Sequence, residues 1–256
     1  MPTGNDFHLP IPTRADSKAL SQAISSSDSV FKLLYFNIQA RGHILRLMFT
    51  LSGAKWEEIT AIWPAMAECT PFHCVPVVYE VTSDGTTLEL SESLAIERYL
   101  AKKFHFLGKN DYELHKVDQF CTSTEAANIQ LGQKVHRPPH EIQLTDEERI
   151  AAVNHFNKQI LGRFIALHEA HLQSNGSTGH YVGDSFTLAD LKTAVFMERV
   201  LSLTPSGVDE VSFSEERSPN LWKVHQTVNN DPSVKAWINS QRYLKLDANT
   251  KALFRV

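Results

Sequence analysis

Tyr35 closes the apolar run FKLLYF, and Arg41 stands six residues further on, where the next hydrophobic pattern starts at helical spacing. A phenol can donate a hydrogen bond and a guanidinium carries a permanent charge, so the pair has chemistry available to it. Ordinary packing and an ordinary surface charge account for the same two residues equally well. Val75-Pro76 enters a later apolar run. Proline removes a ladder donor, so it suits a strand start; a cis bond there would instead turn the backbone outward and leave the Val75 amide and carbonyl for an extended peptide ligand. Ser91-Glu92-Ser93 lies where a strand pattern gives way to a helix. Serine caps helices, but a helix start also offers free amides and partial positive charge. Ser93 could then receive a ligand carboxylate while Glu92 takes an ammonium, together holding the zwitterionic end of an amino acid.

Other candidate chemistry is weaker. His136 and His140 flank Arg137-Pro138-Pro139, whose prolines prevent a regular helical pairing, and no third ligand is evident, so no metal is expected. There is no Gly-rich phosphate loop and no GxSxG elbow, and Cys74 reads as a packed small side chain.

These residues need elements to position them. FKLLYF reads as a strand; Ile44, Leu45, Leu47, Met48 and Leu51 mark a helix that Gly53 ends; a strand follows over 55–61, then a short helical stretch over 64–68. VPVVYEV and TTLEL form a hairpin through Ser83-Asp84-Gly85, and SLAIERYLAKKF restores helical spacing. The order is strand, helix, strand, helix, strand, strand, helix, an α/β layer with a mixed sheet. After Phe106 strand signals stop. Thr145 and Glu148 form a capping box before a long helix with Ile150, Val153, Ile160, Phe164 and Leu167 on one side, and Thr187 to Asp190 open another. Four segments follow: a serine-rich flexible extension over 1–30, within which 14–24 could form a short helix; an α/β domain over 31–106; an all-α domain over 112–245; and a tail over 246–256.

The chain has 256 residues, 42% of them hydrophobic, enough for two cores. Its 25 basic residues face 29 acidic ones and gather in no window, which excludes a nucleic-acid surface as the expected partner. Three cysteines are too few for a disulfide framework. With no signal-peptide pattern and no run long enough to span a bilayer, a cytoplasmic protein with no membrane partner is expected.

Four segments occur in this order in the glutathione S-transferase superfamily, and the chain resembles its tyrosine-type members, the sigma and alpha classes most, over roughly residues 31 to 245. LYFNIQARGHILRL resembles LTYFNxRGRAExxR, TPFHCVPVV resembles TPFGKxPxL, LSESLAIERYLA resembles LxQSxAIxRYLA, and GDSFTLADL matches the capping motif of the second domain. The resemblance implies a thioredoxin-like βαβαββα domain followed by an all-helical domain, and a homodimer. It implies a transferase of alkyl or aryl groups, with glutathione as co-substrate and no metal. It is expected to conjugate glutathione to small apolar electrophiles in detoxification, with peroxidase or isomerase side activity.

By the same resemblance Tyr35 donates to the glutathione sulfur and Arg41 lies near it, both favouring thiolate. Val75 before a cis Pro76 holds the cysteinyl backbone, Glu92 and Ser93 the γ-glutamyl end, and Trp63 the glycyl carboxylate. Glu125 is the candidate acid supplied to the neighbouring subunit, although the register puts Ala126 at that position. Phe36 lines the second-substrate pocket, with Leu253 and Phe254 contributed by a tail that resembles the alpha-class lid helix. Ala67 stands where the sigma class has lysine, and His73-Cys74 replaces Gly-Lys. The alternative expectation is a binding, regulatory or structural protein of the same fold with little turnover; Ala67 and Ala126 favour it, while Tyr35 and Arg41 favour the enzyme.

Overall fold

In the computed structural model, which describes residues 9–14, 17–25, 28–136, 143–208 and 213–254, the first apolar run up to Tyr35 lies within strand β1, Ser29–Tyr35, with Phe36 just beyond it. Helix α2 (Gly42–Ser52) ends at Gly53, whose left-handed backbone lets its N–H donate to the carbonyls of Phe49 and Thr50. Strands β2 (Lys55–Thr60), β3 (Val77–Thr82) and β4 (Thr87–Ser91) complete a sheet of order β2-β1-β3-β4. β1 runs parallel to β2 and antiparallel to β3, which pairs antiparallel with β4. The register sets Tyr35 opposite Thr60 and Leu34 opposite Val77. Phe49 of α2 packs between Phe31, with centroids 5.2 Å apart, and Trp56, at 5.5 Å. The other sheet face buries Leu34, Val77 and Tyr79 with Ala61 and Met66.

Local differences from the sequence pattern are small. The expected helical stretch at 64–68 is a loop ending in a single 3-10 turn, Ala67–Cys69, because Pro64 and Pro71 bracket it too closely for a longer helix. β3 starts at Val77, after Pro76. Upstream, α1 (Ser17–Ile24) precedes β1; residues 1–8, 15–16 and 26–27 of the extension lie outside the described residues.

The chain divides into two compact units, Met1–Leu100 and Ala101–Val256. α3 (Ser93–Lys103) crosses that division. The second unit holds α4 (Asp111–Lys134), α5 (Asp146–Phe156), α6 (Gly162–Ser174), α7 (Leu188–Ser202), α8 (Pro219–Asn230), α9 (Pro232–Ile238) and α10 (Gln241–Phe254). Both capping boxes form, Thr145 with Glu148 and Thr187 with Asp190. Asp190 is fully buried and accepts from the Thr187 and Tyr181 backbone N–H groups, each at 2.7 Å. Between α5 and α6 the helix widens to a π turn, Asn157–Leu161, instead of continuing unchanged. Across this stretch Leu161, the predicted Phe164 and His168 are buried, while the predicted Leu167 is 51% exposed. Among the described residues no helix is long and apolar enough to cross a membrane.

Candidate active site

Tyr35 ends β1 pointing towards the start of α2, only 7% exposed. Its hydroxyl oxygen accepts the Arg41 backbone N–H at 3.1 Å. In this contact the phenol oxygen is the acceptor, so its own proton is directed away from the Arg41 amide. The exposed Arg41 guanidinium donates through Nη1 to Ser93 Oγ at 3.1 Å. Tyr35, Arg41 and Ser93 are thereby joined in one chain of contacts at the strand end and two helix starts. The sequence expectation set Arg41 beside the sulfur; in the structure its side chain engages the helix start that carries Ser93.

Arg46 was not singled out from sequence, although an arginine inside the apolar stripe ILRLMF was the available signal. It is 1% exposed and ion-paired with Glu58. Its guanidinium donates to the carbonyls of Ile38 at 2.8 Å and Phe36 at 3.4 Å, and sits 5.8 Å from the Tyr35 ring centroid. It therefore ties down the backbone immediately after Tyr35. Gly42 was missed as well: a Cβ built there would stand 2.5 Å from Tyr35 Cδ1, so glycine is what lets the helix approach the phenol ring.

Phe36 lies 5.5 Å from the Tyr35 ring and 6.0 Å edge-on from Trp63. The Val75–Pro76 peptide is cis, and Val75 packs against the Leu34, Val77 and Tyr79 cluster. Glu92 is exposed with φ 67°, a backbone that costs a non-glycine residue roughly 1–3 kcal/mol. The Cys74 thiol contacts Glu92 Oε1 at 3.8 Å, and burial, then the Glu92 charge, raise its pKa, so Cys74 is a protonated side chain rather than an activated nucleophile. Ala40 (φ 36°) and His73 (φ 50°) occupy the two positions where the family motifs have glycine, and both keep the left-handed backbone that favours it.

In the second unit, Glu125 is 7% exposed and its carboxylate is held by Lys192 at 2.9 Å. The candidate cross-subunit acid thus has a cation partner within its own chain. At the chain end, the Phe254 carbonyl accepts from Arg149 Nη1 at 2.6 Å, and its ring lies 5.2 Å from His136 and 6.0 Å from the Arg199 guanidinium. Burial, reinforced by the Arg199 and Arg149 charges, lowers His136 to about 3. Leu253 is 39% exposed. Arg137 to His140 lie outside the described residues, as do Arg255 and Val256.

The model of the "Glutathione S-transferase, C-terminal domain" family matches residues 137–241. "Probable glutathione S-transferase 9" of Caenorhabditis elegans is 31% identical over 219 residues, covering 82% of this chain and 96% of that protein. The chain belongs to the glutathione S-transferase superfamily. S-crystallin SL11 of Nototodarus sloanii is 26% identical over 216 residues, covering 82% of this chain and 96% of its own length. The solved sigma-class glutathione S-transferase of Fasciola hepatica superposes with a TM-score of 0.70 at 26% identity, covering 84% and 97% of the two chains. This likeness identifies the first unit as thioredoxin-like and the second as the superfamily's helical domain. The superfamily's transferase chemistry, with glutathione as co-substrate, is the general activity of the chain.

Proposed function

We propose that the chain conjugates the thiolate of glutathione to small apolar electrophiles, as a cytoplasmic homodimeric detoxification enzyme with peroxidase or isomerase side activity. The observation that carries this reading is the Tyr35 hydroxyl, which stands at the strand end beside the start of α2 and accepts from the Arg41 amide at 3.1 Å. A hydrogen bond from that hydroxyl to the glutathione sulfur, with the Arg41 cation near, favours thiolate over thiol. Lowering a thiol from about 8.5 by two units requires only ~2.7 kcal/mol, within reach of two charge-assisted contacts. The γ-glutamyl ammonium pairs with Glu92, its carboxylate takes Ser93 and the α3 start, the Val75 backbone pairs with the cysteinyl unit across cis Pro76, and Trp63 meets the glycyl end. Phe36 lines the electrophile pocket beside Tyr35, and Leu253 and Phe254 at the α10 end are the tail residues proposed to contact the electrophile.

A second reading, a glutathione-fold binding or structural protein with little turnover, is favoured by Ala67, which offers no charge to the glycyl carboxylate, and by Ala126 at the register position of the cross-subunit acid. The two are separated by measuring conjugation to a generic aryl halide together with glutathione affinity. Turnover supports the first; tight binding without turnover supports the second. Truncation after Leu246 is expected to weaken binding of apolar electrophiles and leave glutathione affinity nearly unchanged.

A further inference from the structure

The segment LPIPT, Leu9 to Thr13, precedes everything that resembles the superfamily, yet it is docked. β4 is an edge strand, and the outward-facing groups of Thr87 are both taken by Thr13. The Thr13 N–H donates to Thr87 O at 2.8 Å, and the Thr87 N–H donates to Thr13 Oγ1 at 2.7 Å. Edge strands present unpaired backbone groups to any passing chain, and proteins cover or interrupt them. Pro10 and Pro12 suit such a cover, since each fixes φ, neither has an N–H to extend a ladder, and an alternating proline segment is already extended before it docks.

The same segment reaches the face that carries the candidate glutathione loop. Four residues from Thr13 to Leu9 span up to ~13 Å when extended, and two strand spacings amount to ~10 Å, the distance from β4 across β3 to β1. Leu9 indeed packs against the cluster of Leu34, Ala61, Met66, Val77 and Tyr79, the same cluster on which Phe36 and Val75 lean. Further along, Ala19, Gln22 and Ala23 of α1 face Thr82, Ser83 and Thr86 of the β3–β4 hairpin across a cleft. Ile11, between the two prolines, is 85% exposed, so the segment is attached through Leu9 and Thr13 rather than along its whole length.

We propose that residues 9–14 form a strap that closes the β4 edge through Thr13 and braces the Val75 backbone through Leu9, making Leu9 a positioning residue for glutathione. The glutathione part rests on the function proposed above; the edge closure does not. Leu9 acts through the cluster it shares with Phe36 and Val75 rather than by touching a ligand. Its loss therefore loosens the ground-state binding surface and leaves the sulfur's own contacts in place.

The test uses the full chain with Leu9→Ala, Leu9→Met and Thr13→Pro, and a variant lacking residues 1–14. Amide exchange of Val77 and Thr87 is followed without ligand, alongside glutathione KM, kcat and the thiolate titration. Thr13→Pro is expected to speed Thr87 exchange. Leu9→Ala is expected to speed Val77 exchange and raise glutathione KM roughly three- to tenfold with kcat and titration unchanged, and Leu9→Met to restore it. Unchanged exchange at both amides in the deletion variant overturns the strap. KM and kcat moving together with falling stability in Leu9→Ala overturns the positioning role. If the unaltered chain neither binds nor conjugates glutathione, the proposed function fails, while exchange at Thr87 and Val77 still decides the strap.

Discussion

In the first unit Tyr35, Arg41, Glu92 and Ser93 stand at ends of strands and helices, with Arg41 and Glu92 exposed; in the second, His168 is buried between Ser123 Oγ at 2.9 Å and the Tyr181 hydroxyl at 2.5 Å. Tyr181 in turn donates its backbone N–H to Asp190, and Glu125 of α4 is held by Lys192 of α7. Helix starts and strand ends carry backbone donors that no ladder or helix uses, so polar side chains gathered there can serve a ligand. Polar groups in a helical interior must serve one another, because each left unmatched costs the full desolvation penalty. The same residue types thus make a candidate site in one unit and a structural network in the other. Arg46 is the exception that links the two behaviours: a fully buried group of the interior kind, placed directly beneath the candidate site.

The largest expected effect separates the two arginines of the first unit. Arg46→Met removes the buried guanidinium paired with Glu58 and should lower unfolding free energy by roughly 3–5 kcal/mol in denaturant titration. Arg41→Leu, at an exposed position, should stay within about 0.5 kcal/mol. Equal losses would erase the distinction. Tyr35→Phe comes next. It keeps the ring and removes the donor, so conjugation at neutral pH should fall by roughly ten- to a hundredfold, with glutathione affinity little changed and the bound-thiol titration moved upward. Intact activity with an unshifted ultraviolet titration would mean that another group activates the sulfur.

For the interior network the handle is pH. Burial lowers His168 to about 3, far below its unfolded value near 6.5. The unfolded chain therefore binds a proton over the window between those values while the native chain does not, so stability falls as pH drops through it, by up to about 1.4 kcal/mol per pH unit for this residue. His168→Gln should flatten that part of the stability profile, and an unchanged slope between about pH 6 and 4 would show that other groups dominate. The smallest effect is steric: Gly42→Ala, whose Cβ would approach Tyr35 Cδ1 to 2.5 Å, should displace the ring and cut conjugation about tenfold while glutathione KM holds.

Much of this was readable from the chain alone wherever the determinant is local. FKLLYF followed by a helical stripe put Tyr35 at a strand end, and the hairpin around Gly85 and the two capping boxes depend on residues within one turn of each other. Arg46 and Gly42 left only faint marks, a charge in an apolar stripe and a glycine where the family motif has alanine. The contacts that assemble the site join distant positions: Arg41 with Ser93, Arg46 with Glu58, Thr13 with Thr87. So does the buried pair of Glu125 with Lys192. Periodicity specifies which face of an element is buried, since it repeats along the chain. It does not specify which polar group meets which across that face, because that depends on sheet register and on how the helices pack, and both are set only when the elements come together.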